Sequence, residues 1–135
     1  MEPARVALSI CATVIGWASG MLYYISIGYF SDALGWKGDL PAIAYYTAWY
    51  IVLGWFIVFL PILRTMSPES EFFALSRLPW LGALLGLAAF MVLAGWWAPL
   101  WLHWFYLLYP AVVGGATGVS FACFQRMLLR RQSAS

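Results

Sequence analysis

The uncharged groups that could bind or orient a small molecule are Tyr23, Thr47, Tyr50, His103 and Tyr106. Tyr23 extends a small-residue face of the first apolar stretch. Thr47 and Tyr50 share a helical face with Gly54 in the second, and His103 and Tyr106 open the fourth. Phenols, a hydroxyl and an imidazole converging in apolar surroundings make a ligand-binding pocket for a lipid head, a quinone-like ring or a small amphiphile. A hydrogen-bond network closed within the protein uses the same groups more simply, because buried polar atoms ordinarily find protein partners. The residues specify no cofactor.

Catalytic constellations are missing. There is no carboxylate pair, no His/Cys/Asp/Glu cluster at metal-ligand spacing, no Ser or Cys set beside a His, and no phosphate-cradling glycine loop. Neither enzymatic chemistry nor a metal site is expected. His103 is the only histidine, so bis-histidine haem ligation has no second ligand. Glu2, Asp32, Asp39, Glu69 and Glu71 all fall in tails or connections, which leaves no intramembrane acid of the kind that couples ions to transport. Cys11 and Cys123 are too far apart in sequence for a metal motif and read as small buried residues.

The elements that must position these groups are set by composition. Of 135 residues, 64% are hydrophobic and 9% charged, against roughly 45–50% and about 25% in soluble domains. The charges lie outside four apolar stretches at residues 6–30, 40–63, 79–97 and 100–125, each near the ~20 residues that cross a bilayer. The expected architecture is all-α: a polytopic membrane protein, a four-transmembrane-helix bundle forming one domain over residues 1–135. Arg5, Arg64, Arg77, Arg126, Arg130 and Arg131 flank one side of the spans and Lys37 the other. The positive-inside rule therefore places both termini in the cytoplasm, and the expected host is a bacterial cytoplasmic (inner) membrane.

In that orientation the eight tyrosines fall in the outer half. An aromatic belt accounts for Tyr29, Trp36, Trp96, Trp97 and Trp101. It accounts less well for Tyr23, Tyr50 and Tyr109, which lie deeper, where a phenol needs a partner. On the inner side, Ser67 as cap, Pro68 at the first helical position and Glu69 and Glu71 in the first turn predict a short interfacial helix at 68–77. Pro61 and Pro110, inside the second and fourth spans, predict static kinks.

Small residues recur at steps of three and four: Gly16 and Gly20 in the first span, Gly82 and Gly86 in the third, and Gly115, Gly118 and Ala122 in the fourth, beside Gly114. Such faces let helix backbones approach closely. They serve as helix-packing interfaces, chiefly within the chain, with the fourth span the first candidate for a seam between chains. The functional expectation is a small integral accessory or structural subunit packing into a larger membrane assembly. Its partners would be membrane lipids and another integral protein or further copies of itself, and no nucleic acid. The alternatives are a homo-oligomeric channel or carrier without an intramembrane carboxylate, and a lipid, quinone or pigment binder using the outer aromatic pocket.

Overall fold

A computed structural model describes the backbone of residues 3–31, 36–93 and 104–134, and side chains within 3–28, 40–92 and 108–133. The elements are α1 (Pro3–Ser31), α2 (Trp36–Gly54), a π-turn (Trp55–Phe59), α3 (Leu60–Thr65), α4 (Leu78–Leu93) and α5 (Trp104–Ala134). There is no strand among the described residues. Three helical runs are long and apolar enough to cross a membrane: Pro3–Gly28, Leu40–Thr65 and Leu108–Ser133. A shorter apolar run, Leu78–Val92, belongs to α4. The two residues left between the last two expected spans, Ala98 and Pro99, lie outside the described residues, as does His103.

The helices alternate in direction and pack unequally. α5 is central, with α1 along one side and α4 along the other, while the α2–α3 rod leans mainly on α1. Glycine sets the closeness of the central pairs. A Cβ on Gly118 would stand 2.5 Å from the carbonyl oxygen of Leu78, and one on Gly16 would stand 2.6 Å from that of Val113. Gly82 and Gly86 likewise face the backbone of Gly114 and Pro110. Backbones this near exchange dispersion and Cα–H···O contacts that any side chain would push apart. The small-residue faces of α5 are thus turned toward α1 and α4 of the same chain. Gly115 sits more loosely, with Pro79 O at 3.6 Å from its would-be Cβ, and Ala122 is fully buried in the core.

The second rod shows how Pro61 is accommodated. The amide of Leu60 donates to the carbonyl of Trp55, five residues back, and Pro61 occupies the first turn of α3. Proline has no amide to offer to a carbonyl four residues earlier, and the wider π-turn just before it absorbs the mismatch. α2 and α3 consequently form one continuous rod.

The connection between α3 and α4 departs from the expected helix at 68–77. Its only regular element is a 3-10 turn, Glu71–Phe73, and the cap is Ser70, whose hydroxyl accepts from the Phe72 amide at 3.3 Å, rather than Ser67. On a helix Phe72, Phe73 and Leu75 would spread over nearly half of the circumference, whereas in the observed turn Phe73 is fully inserted and Phe72 and Leu75 pack partly buried beside it. The chain turns inward and drives Phe73 into the core. There it meets Phe121 at 5.7 Å between ring centroids, next to Leu63, Leu78, Ala12 and Ala122. The guanidinium of the buried Arg5 lies over the Phe73 ring, 5.3 Å from its centroid, and the Gln125 amide donates to the Pro68 carbonyl. An exposed Arg77–Glu71 ion pair at 3.1 Å closes the turn outside, where solvent screening leaves it little value.

Both cysteines are free and exposed rather than buried. A thiol is a small apolar group that an outward helix face tolerates as readily as a core, so spacing alone could not place them inside.

Candidate functional site

The weak contact between the α2–α3 rod and α4 leaves a long cleft. One wall is formed by Thr47, Tyr50, Ile51, Gly54 and Val58, and the other by Gly82, Leu85, Gly86, Ala89 and Phe90. Its back is the α5 face from Tyr109 to Gly118, and Phe72, Phe73 and Leu78 close one end. The cleft is half open to its surroundings and has a cavity volume of about 150 Å³. From Tyr50 to Ile62 it follows twelve residues of helix, roughly 18 Å at 1.5 Å per residue. Among the described residues no charged side chain lines it.

The cleft keeps its shape because the rod is held to α1 by two indole–hydroxyl bonds. Trp17 Nε1 donates to Thr47 Oγ1 at 3.1 Å, and Trp55 Nε1 donates to Ser9 Oγ at 3.0 Å. Each hydroxyl passes its own proton to a helix carbonyl, Thr47 to Ile43 and Ser9 to Val6, both at 2.7 Å. Both acceptors are thereby fixed in orientation. Thr47→Val should cost about 1 kcal/mol by orphaning the Trp17 indole, read as a lower unfolding midpoint in detergent; an unchanged midpoint would show that the bond is not formed.

Polar groups inside the cleft differ in what they have left to give. Thr13 and Thr117 donate to the carbonyls of Ser9 and Val113 at 2.7 and 2.8 Å, so their protons are used. The Tyr109 hydroxyl points at Met21 Sδ, 3.8 Å away, and a thioether is a weak acceptor. Tyr50 stands at the mouth, 37% exposed, and makes no hydrogen bond among the described residues.

Of the residues anticipated as a pocket, the structure brings Thr47 and Tyr50 together in the cleft. Tyr23 is not part of its lining. His103, and the side chain of Tyr106, lie outside what the structure describes. The cleft that holds Thr47 and Tyr50 runs along the helices as far as Phe72 and Phe73. Tyr109 and Trp55 line the cleft without having been anticipated there, and Trp17 and Met21 enter only as partners of Thr47 and Tyr109. One sequence signal does exist for the clamps: Ser9 and Trp17 have the same spacing as Thr47 and Trp55, as an antiparallel pair of helices requires.

Among the described residues no group of three or more His, Cys, Asp or Glu could hold a metal ion. Comparison with protein-family models, with curated proteins and with solved structures returns no match.

Proposed function

We propose that this chain is an integral membrane protein that binds an apolar molecule in the cleft between the α2–α3 rod and α4, without catalysing a reaction. The observation that carries the reading is the cleft itself: long, walled by aliphatic and aromatic side chains, and uncharged. Water in such a space would find few partners, whereas an acyl or isoprenoid chain replaces lost packing contacts along its whole length. Arg5, Arg64, Arg77, Arg126 and Arg130 belong to the end of the bundle where α1 and α4 begin and α3 and α5 finish. That end faces the cytoplasm in this reading, which puts Tyr50 and Tyr109 toward the outer leaflet.

The test is mass spectrometry of the intact protein released from native lipid discs. A small molecule retained at fixed stoichiometry through mild activation is the expected result. Protein stripped bare at the same energy that removes bulk lipid would remove the reading.

A second reading, a small accessory subunit of a larger assembly, draws on the outward face of α2. Tyr45, Tyr46 and Trp49 are 61%, 62% and 56% exposed there, with Tyr45 edge-on to the other two rings at 5.7 and 6.5 Å. Aromatic clusters of this type are frequent at protein interfaces. The same spectrum separates the two, since an accessory subunit travels with a second polypeptide.

A further inference from the structure

We infer that the cleft selects an uncharged lipid with one acceptor-bearing head, the head held by the Tyr50 and Tyr109 phenols and the tail directed toward Phe72 and Phe73. The inference rests on the ligand-binding reading above and specifies the chemistry of the ligand.

Three observations converge on it. First, among the described residues, hydroxyl protons available to a ligand occur at only one end. Side chains lean toward the N-terminus of their own helix, and α2 and α5 both begin at the end remote from Phe72 and Phe73, so both phenols lean that way. Among the described residues the Tyr50 proton meets no acceptor and the Tyr109 proton goes to a thioether, while the threonines deeper in the cleft donate to backbone carbonyls. Second, the described lining contains no cation to meet a phosphate or carboxylate and no anion to meet an amine. A charged head drawn in would lose its hydration without compensation. Third, the remaining length, roughly 18 Å along the rod, is apolar down to the rings of Phe72 and Phe73, which suits a single extended chain. Quinone carbonyls and glyceride esters both meet this description: neutral, donor-seeking, with a long tail.

Trp55 lines the cleft, so tryptophan fluorescence reports its occupation. The full-length protein in lipid discs would be titrated with a decyl-substituted benzoquinone, a quencher. Decyl monoglyceride, decyl phosphate and decane would then serve as competitors. The expected result is saturable quenching that the monoglyceride relieves well and decyl phosphate and decane relieve poorly. Loss of two hydrogen bonds in Tyr50→Phe/Tyr109→Phe should weaken the quinone about tenfold, and Tyr50→Phe alone, at an exposed site, should show part of that loss. Comparison of the monoglyceride's inhibition constant with the quinone's own dissociation constant identifies which carbonyl source is preferred. The selection of a neutral head is overturned if decane or decyl phosphate competes equally well, or if the phenylalanine variants bind the quinone unchanged. The cleft reading itself falls separately, if Gly54→Phe leaves saturable quenching intact.

Discussion

Replacing Gly114 by leucine should dismantle the central helix pair, with a loss of stability of about 3 kcal/mol or more, at the top of the range for overpacking. A Cβ there would meet the Gly82 carbonyl group, its carbon at 2.8 Å, and the Cα of Gly86 at 3.1 Å. These are backbone atoms, which cannot rotate aside as a side chain would. Separation of α4 from α5 would also open the back of the cleft, so ligand retention should fail in the same variant. The measurement is the unfolding midpoint in a denaturing-detergent titration. Gly115→Leu is the comparison, because its nearest atom is 3.6 Å from the would-be Cβ. If the two variants unfolded alike, the close approach of α4 and α5 would not be what holds the bundle.

Gly54→Phe should do the opposite, abolishing retention of an apolar ligand while leaving the fold intact. A Cβ at Gly54 meets nothing within 4 Å, and the residue has ordinary helical torsions of −60° and −39°. A phenyl ring placed there projects into open cleft. Exchange of glycine within a helix also removes a conformational cost of roughly 0.5 kcal/mol or more, so the unfolding midpoint should hold or rise. Retained ligand in the native mass spectrum should disappear. A variant that unfolded early, or that kept its ligand, would mean that the space beside Gly54 is not the binding volume.

The fold was legible to the extent that it depends on composition and periodicity. Uncharged runs located the helices, and small residues at steps of three and four marked the faces where α1, α4 and α5 approach. The start of α2 at Trp36 rather than Leu40, and the extension of α5 to Ala134, were missed because polar residues do not end a helix by themselves. The 68–77 connection was misread for a different reason. Ser67, Pro68 and Glu69 form a valid local start signal, but burial of Phe73 against Phe121 is a tertiary gain that outweighs it. For the site, Thr47, Tyr50 and Gly54 were recognisable as one face of one helix. Tyr109 could be seen to want a partner, yet nothing local identifies Met21 as that partner, since the pairing depends on how far α5 slides along α1.

The π-turn at Trp55–Phe59 makes the length of the second rod a matter of phase. Holding one residue more than an α-turn, it rotates everything after it by about 100° relative to an uninterrupted helix. Tyr50 and Gly54 thereby look into the cleft while Leu63, 2% exposed, enters the core beside Phe73. Deleting a single residue there, such as Ile57, would leave composition and hydropathy almost unchanged. It would nevertheless swing Leu63 away from Phe73 and break the continuity between the cleft-facing half of the rod and the half that anchors it.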